Sequence, residues 1–139
     1  MQTVTPEIIL NELDQLVSAR QSIVVGNDLV HLPTFTLSCT SLFIKRGYTK
    51  EEIAYCEQFA EPKLRYASTW AAKEAVYKAI KQLDENVKLW WPDIEIHRPK
   101  PQGKPTVTVD KLNGSMSFSL TLTHDGEYVW ALVVGELCS

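Results

Sequence analysis

The sequence predicts an α+β fold in which an antiparallel sheet packs with a long helix. Helical patterns dominate the first part of the chain, and neither Gly nor Pro interrupts residues 63–83. After Leu83 the sequence alternates apolar and polar residues, as strands with one buried face do. Because 139 residues suit one hydrophobic core, we expect a single domain with two or three helices on one antiparallel sheet.

The first predicted element is a helical extension within residues 1–21. Thr5 suits the N-cap, Pro6 the first helical position and Glu7 the acidic first turn. We therefore predict a helix over about residues 6–20.

A short strand follows this extension. Residues 22–26 are rich in β-branched side chains and close on Gly26, a pattern typical of a buried strand that ends in a turn. Asn27 and Asp28 follow Gly26. We expect the Asp28 carboxylate at the end of the strand, where it can project into a cleft.

Two further helices are predicted before the strands begin. Thr49 and Glu52 have the spacing of a capping box, so a helix should begin there. The long helix over residues 63–83 carries alanines at every fourth position, namely Ala67, Ala71, Ala75 and Ala79. Such a stripe of small residues allows a helix to approach its neighbour closely.

The last part of the chain reads as strands and turns. The alternating segments are 93–97, 106–109, 117–123 and 128–134. Between the last two, Asp125-Gly126 predicts a hairpin turn.

Composition excludes several classes of function. The net charge of −3 argues against general nucleic-acid binding, and no segment has the roughly 20 apolar residues that span a bilayer. Three cysteines without paired spacing indicate reduced thiols and a cytoplasmic protein. A local basic patch of Lys45, Arg46 and Lys50 is either a solvated loop or a docking surface for an acidic partner.

Glu74 and Lys78 are the first candidates for chemistry. They lie four residues apart on one face of the long helix, with Trp70 one turn earlier. A solvated helix ion pair explains the spacing and stabilises a helix by only about 0.2–0.5 kcal/mol. The alternative is a metal and phosphate site, which requires partners elsewhere in the chain.

Five segments in a fixed order resemble the motifs of a known family. They are Val25–Val30 with its Gly-x-Asp, Trp70–Ala79, Trp91–Ile96, Gly103–Pro105 and Leu120–Asp125. The pattern is similar to that of the 4'-phosphopantetheinyl transferases, of the small holo-(acyl carrier protein) synthase type. The resemblance covers residues 22–137, so we divide the chain into the extension 1–21 and a transferase domain 22–139.

The resemblance implies transfer of 4'-phosphopantetheine from coenzyme A to a serine of an apo acyl carrier protein, with Mg2+. It implies that Asp28 and Glu74 hold the metal, since Mg2+ takes one or two carboxylates plus phosphate oxygens. Lys78 would bind the same phosphates. Either Glu74 or a metal-bound water would accept the serine proton.

The resemblance also implies a set of coenzyme-binding residues, namely Lys73, Lys78, His124, Arg65, Trp70, Gly103 and Pro105. For Lys73 the alternatives are a phosphate contact or plain solvent exposure. Gly103 and Pro105 either approach the adenine or form an ordinary turn.

One position departs from the pattern. Many relatives carry an arginine directly before the aromatic residue of the helical motif, and this chain has Thr69 there. Arg65 lies one turn earlier on the same face and is expected to reach a similar place.

The resemblance further implies a homotrimer with interfacial active sites and an acidic carrier protein as partner, contacted by Lys45, Arg46 and Lys50. No nucleic acid and no membrane are expected as partners. The alternative function is a non-catalytic module of the same fold that binds coenzyme A or a carrier protein.

Overall fold

The computed structural model describes residues 5–8, 22–99 and 103–138. Short 3-10 turns at Trp91–Asp93 and Asp110–Leu112 connect its strands. The elements are, in chain order, β1 (Ile23–His31), α1 (Leu32–Ser38), α2 (Ser41–Gly47), α3 (Lys50–Glu57), α4 (Pro62–Leu83), β2 (Ile94–His97), β3 (Thr106–Val109), β4 (Met116–Asp125) and β5 (Tyr128–Leu137). None of the helices in these ranges has the length and apolar composition that crossing a bilayer requires.

The larger sheet has the strand order β1-β5-β4, and both of its pairs are antiparallel. Asp125 pairs with Tyr128, so the hairpin loop between β4 and β5 consists of Gly126 and Glu127. Gly126 has a φ of 57°, a left-handed conformation that glycine adopts without steric cost. The α+β class and the predicted hairpin are confirmed.

One face of this sheet packs on α4 at very close range. The four alanines of the predicted stripe are fully buried. A Cβ placed on Gly26 would lie 1.9 Å from the Ala75 carbonyl oxygen, so the two backbones are in direct contact. Gly26 is therefore required by the approach of strand and helix, and not by a turn.

The opposite face of the same sheet is apolar but exposed. Val25 pairs with Val134 and Leu29 pairs with Trp130 across β1 and β5. Each of these four side chains exposes at least 40% of its surface. We call this set the outer face of the sheet, and contiguous apolar surface of this kind marks an interaction site.

The second sheet contains β2 and β3, which pair antiparallel. Glu52 at the start of α3 ties this sheet to the helices. Its carboxylate closes the predicted capping box with Thr49 and also accepts a hydrogen bond from the Ile96 amide at 2.9 Å. The capping box is confirmed, and Glu52 is 2% exposed.

The structure corrects three sequence predictions. β1 continues to His31, so Asp28 lies within the strand and not at its end. α1 and α2 are not predicted, because seven residues are too few to show helical periodicity. The sheets also number two rather than one, and α1 to α4 lie within the described ranges in addition to the helical residues 6–8.

Within the N-terminal extension the structure describes residues 5–8, of which residues 6–8 are helical. The Ile8 amide donates to the Thr5 hydroxyl at 3.3 Å, as expected for an N-cap. The rest of the predicted helix over residues 6–20 lies outside the described residues.

Candidate active site

Asp28, Glu74 and Lys78 meet where β1 crosses α4. Alternation along β1 turns Asp28 toward the helix, and its side chain is only 10% exposed. The Lys78 ammonium donates to Asp28 Oδ1 at 2.9 Å and to the Asn27 carbonyl oxygen at 3.1 Å. A hydrogen bond also joins the side chains of Glu74 and Asp28, so the two carboxyl groups predicted as metal ligands come together although they are 46 positions apart in the sequence.

Lys78 does not form the simple helix ion pair with Glu74. Its cationic group contacts Asp28 instead, and the Lys78 side chain remains 54% exposed. A lysine held beside a buried carboxylate but open to solvent on its other side can also reach an incoming anion. The structure therefore replaces the solvated-pair interpretation with a tertiary contact.

The carboxyl group of Glu74 is the most perturbed acid at this site. Burial, the hydrogen bond to Asp28 and the negative charge of Asp28 together raise its pKa to about 7, against the opposing effects of Lys78 and the Trp70 indole. Two carboxylates side by side disfavour double ionisation. A bound cation would relieve this repulsion.

The residues present fit a hard divalent cation. Among the described residues there is no group of three or more His, Cys, Asp or Glu side chains that could enclose a metal ion. Asp28 and Glu74 supply two carboxylates, and Mg2+ commonly takes this number from a protein and completes its shell with water and phosphate oxygens. The donor set suits a metal that is shared with a phosphorylated substrate.

Trp70 lies in an aromatic cluster beside this pair. Its ring centroid is 4.5 Å from that of Trp91 and 4.8 Å from that of Phe43. Its indole also lowers the pKa of Glu74. These contacts hold the side of α4 that carries Glu74, and a coenzyme contact of Trp70 stays a prediction.

The prediction for Lys73 is wrong, since the side chain reaches neither solvent nor a ligand. Lys73 is fully buried, and its ammonium donates to Glu52 Oε1 and to the Ile94 carbonyl oxygen, each at 2.6 Å. Burial lowers the pKa of Lys73, whereas Glu52 raises it. The side chain fastens α4 to α3 and β2 and is inaccessible to a coenzyme.

Arg65 and His124 do come together, but away from Asp28 and Glu74. With Ser68 and Arg98 they line a cavity of about 230 Å3 between α4 and the β4 edge of the larger sheet. We call it the guanidinium cavity. His124 is exposed and its Nε2 lies 3.1 Å from the Gly126 carbonyl oxygen.

Arg98 is the residue that the sequence analysis missed at this cavity. Its guanidinium donates to the Ser68 hydroxyl at 3.0 Å and to the Thr69 hydroxyl, and it lies 4.7 Å over the Tyr55 ring. No sequence pattern connects Arg98 with Thr69, because they are 29 positions apart on different elements. Only the packing of β2 against α4 brings them together.

The remaining predicted residues lie elsewhere. Gly103 and Pro105 belong to the connection before β3 and do not line the guanidinium cavity. Lys45, Arg46 and Lys50 are all exposed around the junction of α2 and α3. Their predicted contacts with coenzyme and carrier stay predictions.

Comparison with known proteins gives one consistent family. The family model described as the 4'-phosphopantetheinyl transferase superfamily matches residues 24–133. A holo-[acyl-carrier-protein] synthase of Syntrophotalea carbinolica is 32% identical over 122 residues, covering 81% of this chain and 94% of that protein. A fatty acid synthase alpha subunit of Dothistroma septosporum is 32% identical over 111 residues, covering 80% of this chain.

The chain spans 34% of the length of that synthase subunit, and 7% of a second one from the same species. Among solved structures, the apo-ACPS and the ACPS-CoA complex of Chronobacterium ammoniagenes each superpose with a TM-score of 0.71 at 26% identity. The alignment covers 84% of this chain and 98% of each of those chains.

Proposed function

The chain belongs to the 4'-phosphopantetheinyl transferase superfamily, and from this premise we propose that it transfers 4'-phosphopantetheine from coenzyme A to a serine of an apo acyl carrier protein. The products are the holo carrier protein and adenosine 3',5'-bisphosphate. The observation that carries the proposal is the meeting of Asp28, Glu74 and Lys78 at one crossing of strand and helix. Two acids and one ammonium in a half-buried site are what phosphoryl-group transfer requires.

Asp28 and Glu74 would hold a Mg2+ ion at this site. The metal, when bound, neutralises charge on the pyrophosphate as its bond to the leaving group breaks. Asp28 is positioned for this by the alternation of β1, and Glu74 by the contact of α4 with Gly26. Lys78 stays beside Asp28 and orients the same phosphate oxygens.

Glu74 is also the group best suited to accept the proton of the serine hydroxyl. A base has to lie beside the proton that it accepts, and Glu74 is a half-buried carboxylate next to Asp28 at the same site. The proton passes to Glu74 directly or through a bound water molecule. Both routes need the Glu74 carboxylate at the Asp28 side of α4.

The Asp28–Glu74 carboxylate pair and the guanidinium cavity lie apart on one protomer, which suggests that each complete site is formed by two protomers. Arg65 precedes Glu74 by two and a half helical turns, so the two are about 13 Å apart along α4 and on opposite sides of it. Asp28 and His124 likewise lie on opposite edge strands, β1 and β4. The 5'-pyrophosphate and the 3'-phosphate of one coenzyme leave the same ribose, so α4 stands between the groups that would bind them.

A cyclic trimer resolves this geometry. In such a ring each guanidinium cavity would meet the carboxylate pair of the next protomer, and the head-to-tail interface closes on itself. The outer face of the sheet supplies apolar surface for the interface, since Val25, Leu29, Trp130 and Val134 are exposed.

Exposed residues on α1, α2 and α3 suit an acidic carrier protein. Lys45, Arg46 and Lys50 provide positive charge at one junction. Leu37 and Leu42 lie nearby in the sequence and expose 84% and 54% of their surface. Positive charge would steer the carrier and an apolar contact would retain it.

Cys39, Cys56 and Cys138 are all free thiols. Such thiols persist in a reducing compartment, so we place the protein in the cytoplasm as part of the same proposal.

The activity is tested by incubating the protein with coenzyme A, Mg2+ and an apo carrier protein and measuring the intact mass of the carrier. We expect a gain of one phosphopantetheine that EDTA prevents and Mg2+ restores. Coenzyme binding without any gain in mass would support a non-catalytic module instead.

The composite site is tested by mixing two impaired variants. Glu74→Ala and His124→Ala remove groups that lie on different protomers of one site, so mixed trimers would regain intact sites. We expect the mixture to be more active than either variant alone. Sites contained in one protomer would show no recovery, and light scattering would report the trimer independently.

A further inference from the structure

We propose that Arg98 binds the 3'-phosphate of coenzyme A and supplies the positive charge that Thr69 does not. The proposal rests on the proposed function, because it names the part of the coenzyme that the guanidinium cavity receives. Arg98 thereby becomes a specificity-determining residue, since it distinguishes coenzyme A from dephospho-coenzyme A, which lacks this phosphate.

The lining of the guanidinium cavity is cationic. Two arginines and a histidine face it, together with the hydroxyl groups of Ser68 and Thr123, and none of its lining residues is acidic. Its volume of about 230 Å3 is several times the roughly 30 Å3 that one water molecule occupies. A tetrahedral anion with water molecules around it fits this space.

Arg98 has no carboxylate partner among the described residues. Every ion pair found there involves other side chains. Burial lowers the pKa of the Arg98 guanidinium, and the positive charge of Arg65 acts in the same direction. A partly buried cation of this kind costs free energy unless an anion accompanies it.

Thr69 and Ser68 hold the guanidinium in place. The Thr69 hydroxyl donates its own hydrogen to the Arg65 carbonyl oxygen at 2.8 Å, which leaves its lone pairs to accept from Arg98. Ser68 fixes the second nitrogen, and the Tyr55 ring covers one face of the guanidinium plane. The side chain is therefore oriented before a ligand arrives, which lowers the entropic cost of binding.

The choice of a phosphate monoester follows from the geometry of arginine. A guanidinium presents a planar fork of N–H donors that matches two oxygens of a phosphate. Arg98 directly follows β2 and Arg65 lies on α4, so the anion would be contacted from two sides. Thr69 is 2% exposed and takes the place of an arginine while accepting a hydrogen bond from Arg98.

The experiment compares coenzyme A with dephospho-coenzyme A in binding and in transfer. The variants are Arg98→Gln and Arg98→Lys, and Lys88→Ala serves as control because it removes an exposed charge elsewhere. Thermal unfolding of each variant shows whether it is folded. Direct binding is measured by calorimetry without the carrier protein.

We expect the unsubstituted protein to bind coenzyme A more tightly than dephospho-coenzyme A. Arg98→Gln should weaken coenzyme A binding about tenfold or more, the loss typical of a charge-assisted hydrogen bond. It should leave the binding of dephospho-coenzyme A nearly unchanged and raise KM more than it lowers kcat. Arg98→Lys should fall between the two, because it keeps the charge and loses the fork.

Equal losses for both coenzymes in folded Arg98→Gln would overturn the proposal, because they would indicate a structural role. Equal affinity of the unsubstituted protein for both coenzymes would overturn it as well. Tight coenzyme binding without transfer would refute the proposed function and leave the assignment of Arg98 standing. Absence of any coenzyme binding would refute both.

Discussion

The two ends of α4 carry opposite chemistry and depend on different kinds of information. Toward its C-terminal half, Glu74 and Lys78 meet Asp28 and form an acidic site with one ammonium group. Toward its N-terminal half, Arg65 lines a cationic cavity with Arg98 and His124. The acidic end arises from one helix face and one strand, whereas the cationic end needs α4, β2 and β4 to assemble first.

The difference shows why substitutions at the two ends should act differently. At the acidic end, loss of a group should reduce the rate of transfer, because in the proposed mechanism these groups contact the reacting phosphates. At the cationic end, loss of a group should weaken coenzyme binding and leave the chemical step largely intact. The following experiments test this contrast, from the largest expected effect to the smallest.

Glu74→Gln should cause the largest loss. In the proposed mechanism it removes a metal-ligating oxygen and the proton acceptor together, so we expect a decrease in transfer rate of about 10²–10⁴-fold. The rate is followed from the intact mass of the carrier protein at saturating coenzyme A. Glu85→Gln, at an exposed position after α4, is the matched control. Activity within a factor of two of the unsubstituted protein would remove Glu74 from the mechanism.

Lys73→Met should reduce stability rather than coenzyme binding. It leaves the Glu52 carboxylate buried without its cation. Removing one partner of a buried ion pair lowers the free energy of unfolding by about 3–5 kcal/mol. Urea unfolding measures this loss. The double variant with Glu52→Gln should lose less than the sum of the single variants, because the uncompensated charge is gone. A fully stable Lys73→Met with weaker coenzyme binding would restore the rejected role of Lys73.

Stability should decrease with rising pH because of Glu74. Its pKa is raised from 4.5 to about 7 on folding, so between these values the folded state holds more protons than the unfolded state. The free energy of unfolding should therefore fall by roughly 1–3 kcal/mol from pH 4.5 to above 7 without Mg2+. Glu74→Gln should flatten this part of the profile, and Mg2+ should reduce the slope by favouring the ionised form. An unchanged slope in Glu74→Gln would assign the titration to another group.

Thr69→Val should have the smallest effect of the four. It removes the hydroxyl that accepts a hydrogen bond from Arg98 and keeps the side-chain volume, a loss of about 1 kcal/mol. We expect KM for coenzyme A to rise about fivefold with kcat retained. Thr69→Ser keeps the hydroxyl and should behave like the unsubstituted protein. A fall in kcat alone would contradict the separation between the two ends.

The sequence predicts the helical part of the acidic end because that part is local, whereas Asp28, 46 positions before Glu74, was joined to it by the family resemblance. Glu74 and Lys78 share a helix face by spacing alone, and the alanine stripe shows which side of α4 is buried. Even the error in β1 left Asp28 on the correct strand. The structure shows that Gly26 is required by its contact with the Ala75 backbone and not by a turn.

The sequence pointed to Arg65 and His124 only through the family resemblance, and it could not predict Arg98 or the burial of Lys73, because these contacts are set by tertiary packing. A lysine beside a glutamate looks exposed on a helix, yet Lys73 finds Glu52 from α3 and becomes fully buried. In the sequence, Thr69 marks a missing positive charge, but the structure places Arg98 beside it from 29 positions away. The periodicity of a helix does not indicate which strand packs against its end.

The outer face of the sheet has a consequence for how the protein behaves on dilution. In the proposed trimer, Leu29 and Trp130 are covered only when protomers associate, and each site needs groups from two of them. Specific activity would then depend on protein concentration by mass action, and coenzyme would raise the melting temperature by favouring association. In a cell, the transfer activity would therefore rise more steeply than in proportion to the amount of the protein.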